Sequence, residues 1–476
     1  LYSAELVKGG ASTLYGSNAI AGVLDLRSFY RPDLDRYTNL ELTGGSWDTY
    51  NGVVQHSQRF DNLILAGWYE YIESDNHRVD NEYYNRSGGF RAQYDASEKF
   101  STFITGKYSS FDYADTGPEY DRSKFTGDIQ RMGATLGADF AGGRYSVSAR
   151  VYSSYGEHAF SDGFQSVDRN NGVSLYGRAR QVGLEGLSLS GGMSVNYLGG
   201  SAYNGTGFIM GGDFNEIEYA AHLQSELDLN EIVHFTIGGR YIDHDRYDDH
   251  LVYQAGAVIS PPDWGSFKLS VGSAYRNPTV NESQLFAISN ADSLKPEEGT
   301  FYEVGYFNRL GRRFSIETAV FWREGENLIE SIANPSPPPA NLFQNAGSYS
   351  HSGWEATVRY ADDHWSLSPS FVHLNQDNYN GSVPEDKFVL SGSFHADQLT
   401  VGFETVAAFN TASDSAGVPV VLDDYRVMNL DTRYALTDLV DLKLRVENLF
   451  DEQYQVVHGY PMPGITFRGG FAVRFK

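Results

Sequence analysis

From Phe314 to Arg323 the chain reads Phe-Ser-Ile-Glu-Thr-Ala-Val-Phe-Trp-Arg, and this kind of alternation recurs from end to end. Phe314, Ile316, Val320 and Trp322 take alternate places, while Ser315, Glu317 and Arg323 take most of the others. A period of two puts the two sets on opposite faces of a β-strand. Leu442 to Glu447, Trp354 to Tyr360 and Leu399 to Thr405 repeat the design. Strands with one oily and one charged face fit a wall between lipid and water. A soluble β-sandwich or propeller has no need of Arg150, Arg178, Arg180, Arg359 and Arg445 opposite Val, Leu and Tyr. A β-helix would show a short fixed repeat, and there is none.

Hydropathy alone suggests a soluble protein, because no apolar run approaches the ~18 residues of a membrane helix. Transmembrane barrels escape that test, since only every second residue faces lipid. The 33 Tyr and 29 Phe suit the aromatic girdles of such barrels, and 50 Gly suit their turns. There is no Cys, which removes disulfide, thiolate-zinc and thiol-nucleophile chemistry. A formal charge of −25 disfavours nucleic-acid binding and leaves cation-binding loops open. The chain opens at Leu1 without Met and is read as a mature or truncated fragment.

Connector lengths alternate. Short polar turns near Arg59 to Asp61, Ala141 to Arg144, Ala361 to His364 and Thr437 to Asp441 are interleaved with longer loops. The long ones are placed at Ser74 to Arg86, Ser110 to Ile129, Glu157 to Gly172, Gly199 to Asn215, Asn277 to Gly299, Glu324 to Gly347, Asn375 to Lys387 and Asn410 to Asp424. This is the pattern of an outer-membrane barrel. The fold class predicted is all-β, a transmembrane antiparallel barrel of about 22 strands. Pro261-Pro262 and the Pro335 to Pro339 cluster fall in connectors, where a missing N–H costs no ladder bond.

A lumen that wide calls for a plug. Residues 1–32 do not read as barrel, and Ala4 to Leu24 is dense in Gly and small residues with a possible β-α-β turn. The run Glu5-Leu6-Val7-Lys8-Gly9-Gly10-Ala11-Ser12-Thr13-Leu14-Tyr15-Gly16-Ser17-Asn18-Ala19-Ile20-Ala21-Gly22 resembles the last segment of the plug of TonB-dependent outer-membrane receptors. Glu5, Gly9, Tyr15, Gly16 and Gly22 carry the match, with Gly10 where the family usually has Pro and Ala21 where it has Gly. Further stretches are similar to barrel motifs of that family. They are Ala274 to Thr279 with Leu294-Lys295-Pro296-Glu297 and Tyr302 to Gly305, then Asn345-Ala346-Gly347 with Gly353-Trp354-Glu355, then Glu447 to Tyr454 with Gly459 to Gly464. The resemblance implies a plug remnant at 1–32 and a barrel over 33–476. It departs from the family in lacking most of the plug, with its TonB box, and in ending on Phe475-Lys476 rather than on the aromatic.

What the resemblance implies is active uptake of a scarce, bulky nutrient, driven by the TonB-ExbB-ExbD complex through that box. The protein would be a monomer in outer-membrane lipid and not an enzyme. The 12 His are scattered, and neither H-E-x-x-H nor G-x-S-x-G occurs. The alternation turns Glu303 and Glu355 into the lumen, about 10 Å apart laterally at ~4.8 Å per strand. Lys8 stands where the family usually has Arg or Lys, so a Lys8–Glu303–Glu355 latch between plug and barrel is expected; the alternative is ordinary solvated lumen charge. Loops with Asp75, Asp80 and Glu82, and with Asp112, Asp115, Glu119 and Asp121, resemble calcium-ordered loops of cobalamin receptors. Calcium takes six to eight oxygens; solvated acidic loops are the plainer reading. Because the loops are acidic on balance and Asn277 to Ser293 holds no His, anionic siderophores and haem are disfavoured. Cobalamin or a neutral to cationic metal chelate, a metal-siderophore complex included, is favoured. A passive porin is the alternative, and it would lack the motif from Glu5 to Gly22.

Overall fold

The computed structural model describes residues 3–20, 22–204, 212–285, 294–333, 341–376, 382–415 and 418–476. Ala21 and the cluster Pro335 to Pro339 lie outside them. From Arg36 onward, 22 strands, each antiparallel to its neighbours in sequence, close into one barrel. The last, Thr466–Phe475, pairs with the first, Arg36–Gly45, placing Phe475 opposite Thr38 and Gly469 opposite Gly44. Closure leaves no free edge strand, so most of the backbone's polar groups are satisfied within the wall. A short extra strand, Val418–Leu422, folds back on the outer end of Leu399–Ser415.

The alternation sorts residues as anticipated. Val320, Trp322, Tyr302, Val304, Leu442 and Leu444 are exposed on the outer face. The inner face carries cross-strand ion pairs, among them Arg150–Asp139 at 2.6 Å and Arg178–Glu226 at 2.6 Å. At one end of the barrel every connector is short, among them 61–62, 142–144, 311–313, 362–364 and 397–398, while the other end carries the longer loops together with two tight turns at 46–48 and 161–163.

Several long loops are shorter than their polarity suggested. The predicted loop 157–172 is strand: Tyr145–Phe160 and Phe164–Arg180 meet in a tight turn at Ser161 to Gly163. The loop 110–129 shrinks likewise to 116–124, between Phe100–Asp115 and Phe125–Ala141. These strands run well past the ~9–11 residues that cross a bilayer. Beyond the membrane both faces meet water, so alternation disappears while the backbone ladder continues. Periodicity sees the first and not the second.

The first residues form a separate unit inside the barrel. Ser3–Lys8 pairs antiparallel with Gly22–Arg27, Lys8 opposite Gly22, and a single helical turn, Ser12–Tyr15, lies between them. That turn packs against three adjacent strands, Val233–His244, His250–Ile259 and Ser266–Arg276.

Candidate functional site

Two places gather the chemistry: the seat of the N-terminal segment on the lumen wall, and the mouth at the long-loop end. At the seat, Lys8 Nζ lies 2.6 Å from Glu355 Oε1. Glu303 is held instead by Lys268, at 2.8 Å. Glu303 aligns with Phe321 across the intervening strand, whereas Glu355 aligns with Ala319, so the glutamates are offset by two residues along the barrel. At ~3.3 Å per residue that sets them over 6 Å apart along the strand direction as well as apart laterally. The Lys8 side chain is 55% exposed, so this pair resembles a surface ion pair worth about 0–1 kcal/mol, rather than a costly buried one. Lys268 carried a readable signal, since it shares the inner face with Glu303 on the neighbouring strand.

The motif residues fit the wall closely. Gly9 has φ +84°, and a Cβ on Gly10 would stand 2.1 Å from the Phe301 ring. That ring takes the space the family's usual Pro would need. Gly16 has φ +82°, and its Cβ would lie 3.4 Å from Arg240 Nη2. Gly22 runs so close to Val7 that a Cβ would meet its carbonyl oxygen at 2.5 Å. Glu5 sits opposite Asp25 in the hairpin, and Tyr15 is half exposed to the lumen.

A second hold, made by backbone groups of the wall, was not anticipated. Ser12 and Thr13 are buried. The backbone N–H of Tyr275 donates to Ser12 Oγ at 3.3 Å, and that of Asn277 donates to Ser17 Oγ at 3.1 Å. The Asn18 N–H donates to the Tyr275 carbonyl at 3.2 Å. Tyr275 is fully buried with Ala220, Ile242 and Val252.

At the mouth, the loops singled out for their acids fold against the final loop. His77 meets the Pro461 carbonyl at 2.8 Å, Glu119 N–H donates to the Gly459 carbonyl at 2.8 Å, and Tyr120 stacks on His458 at 5.4 Å. Arg78 lies over the Tyr460 ring. Together they enclose a cup of about 580 Å³ whose lining includes Trp47, His77, Arg78, Lys124 and Met462. Lys124 Nζ sits 3.3 Å from Asp80 and 3.4 Å from Glu82, and Arg122 is 3.6 Å from Glu119. Asp115 caps the Gly117 N–H, while Asp75, Asp112 and Asp121 are exposed. Among the described residues no three carboxylate or imidazole side chains converge where a metal ion could sit. Lys124 supplies a cation that Asp80 and Glu82 face.

A second inner loop begins at Arg276, which clasps Glu297 at 2.5 and 2.7 Å and Glu282 at 2.8 and 3.1 Å. Burial alone would raise the Glu282 carboxyl, but Arg276 and the Thr279 N–H outweigh it and hold it below the usual range. Gln284 donates to Glu216 at 2.7 Å, and Tyr247 donates to the Pro278 carbonyl. Burial pushes the Tyr247 hydroxyl up to about 12.

The family model described as TonB dependent receptor-like, beta-barrel matches residues 14–449. The chain belongs to the TonB-dependent receptor family. The vitamin B12 transporter BtuB of Vibrio vulnificus strain CMCP6 is 21% identical over 515 residues, covering 99% of this chain and 79% of its own length. The ferripyoverdine receptor of Pseudomonas aeruginosa is 22% identical, over 90% of this chain and 52% of its own. Among solved structures, the copper transporter OprC superposes with TM-score 0.84 at 16% identity, covering 99% of this chain and 85% of that one.

As a TonB-dependent receptor the protein resides in the Gram-negative outer membrane and acts in transport, not as an enzyme. The end on which every connector is short then faces the periplasm, and the cup faces outward. The receptor's barrel motifs prove to be clasps. Asn345 accepts from Lys295 N–H at 2.8 Å and donates to the carbonyls of Lys295 and Asn327. Asn448 donates to the carbonyls of Glu452 and Pro463 and accepts from Glu452 N–H at 2.8 Å.

Proposed function

We propose that residues 1–32 are the end of a plug, and that this receptor imports cobalamin or a neutral to cationic metal chelate across the outer membrane. TonB would supply the pull that frees the plug. The observation carrying the substrate reading is the cup's lining. Trp47, His77, Pro461 and Met462 offer broad apolar and aromatic faces, while Lys124 and Arg122 are already matched by Asp80, Glu82 and Glu119. A cup with little net basic charge suits a large, weakly charged ligand better than a polyanionic one. The near-full-length likeness to vitamin B12 transporters, at 95–99% of this chain, supports the same choice.

Equilibrium binding of cyanocobalamin and of a panel of anionic ferric siderophores to the purified receptor tests this. Cobalamin binding at submicromolar affinity, weakened by Trp47→Ala, is the expected result. Tight binding of a ferric siderophore with none of cobalamin would overturn the substrate reading.

A further inference from the structure

The barrel wall is incomplete beside the N-terminal segment. Strand His250–Ile259 pairs along its length with Val233–His244, from Ile242 opposite His250 to Val233 opposite Ile259. On its other side it pairs with Ser266–Arg276 only from Ile259 opposite Phe267 to Gln254 opposite Gly272. Above that point His250 to Tyr253 have no rungs to Ser273 to Arg276, although Ser266–Arg276 stays paired with Glu297–Leu310 up to Arg276. A cavity of about 490 Å³, with Asp249, His250, Tyr253, Ser273 and Glu298 in its lining, lies in the gap. The Tyr253 N–H donates to the Ser273 hydroxyl at 2.9 Å in place of a backbone carbonyl. His250 Nε2 is buried without a hydrogen-bond partner.

Buried backbone groups seldom go unpaired, and here the freed strand end has other partners. Tyr275 N–H and C=O and Asn277 N–H are taken by Ser12, Asn18 and Ser17 of the N-terminal segment. We propose that this segment stands in for missing rungs of the wall. When it leaves, residues 273–276 zip onto 250–253 and carry residues 277–285 with them. Ser12 and Ser17 are positioning residues, holding the strand end off its natural neighbour.

Continuing the existing register would set Tyr253 opposite Ser273 and Val252 opposite Ala274. Healing would draw the loop at 277–285 away from Tyr247 and Glu216, which now seat it. Position of the N-terminal segment and shape of the mouth are thereby coupled, and the coupling is reciprocal: a ligand that holds this loop also holds the segment. The proposal takes from the functional reading only that the segment moves during transport; it is indifferent to the substrate.

The chain has no Cys, so an introduced pair reports cleanly. Opposed Cα atoms in an antiparallel ladder lie ~4.5–5.5 Å apart, within disulfide reach. The full receptor carrying Val252→Cys and Ala274→Cys is oxidised with and without Ser12→Ala and Ser17→Ala. Removing the two hydroxyls should raise the rate of crosslinking roughly tenfold. The pair Ala255→Cys and Val271→Cys, on an existing rung, should crosslink equally in both backgrounds. Equal or slower closure of the 252/274 pair in the alanine variant, or no closure in either background while the control pair closes, would overturn the proposal. Amide hydrogen exchange at 250–253 gives a second readout without cysteines. It should slow in the alanine variant, and unchanged or faster exchange would count equally against the idea.

Discussion

Gly10 and Phe301 fit together as one unit. With 2.1 Å between a would-be Cβ and the ring, any side chain at position 10 must displace Phe301 or lift the segment off the wall. Gly10→Ala is expected to cost about 1–3 kcal/mol, as overpacking does. Adding Phe301→Leu should return much of it, and a double-mutant cycle followed by thermal melting checks the coupling. The charges make a gentler contact. Lys8→Ala should lower stability by under about 1 kcal/mol, because the pair with Glu355 is more than half open to water on the lysine side. A cycle on Lys8 and Glu355 should show coupling, and one on Lys8 and Glu303 none, since Lys268 already occupies Glu303. Measurable Lys8–Glu303 coupling would restore the three-residue latch. In cells, replacing both glutamates by Ala should raise antibiotic leakage or alter uptake, and unchanged permeability and transport would remove the latch.

At the scale of elements, the turns and the strand ends behave differently. In the periplasmic turn after Asn341–Ala361, Asp362 accepts from the Tyr360 hydroxyl at 2.5 Å and from the N–H groups of His364 and Trp365 at 2.8 Å. These bonds hold its carboxyl down to about 2. The sign follows: a carboxylate depressed in the fold contributes stability above its unfolded pKa of ~3.9, and that contribution fades as pH falls through about 2. Hydrogen exchange at His364 and Trp365 should accelerate in Asp362→Ala relative to wild type at neutral pH, and the difference should vanish near the acid limit. Such a turn was legible from composition. The outer strand ends were not. Tyr145–Phe160 and Phe164–Arg180 continue into polar sequence because their ladder needs only backbone groups, so a polar stretch read as loop is strand.

At the scale of the whole molecule, closure and docking have different origins. The wall was readable because each strand's alternation is a local response to lipid on one side and water on the other. The run from Phe314 to Arg323 states that requirement in ten residues. The resemblance of the Glu5 to Gly22 run to a plug end, and the order of the barrel motifs after it, pointed to the receptor family that the 14–449 match shows. Which charges meet was beyond the sequence. Lys8 had two inward glutamates to choose from, and the choice turned on a two-residue stagger and on a lysine from a third strand. The buried seat at Ser12, Ser17 and Tyr275 joins residues some 260 positions apart. The physical reason is one of range. Periodicity and turn chemistry act within a few residues and are written along the chain. Stagger, the open rungs beside His250 and the partners that fill them arise only when distant strands share a closed wall.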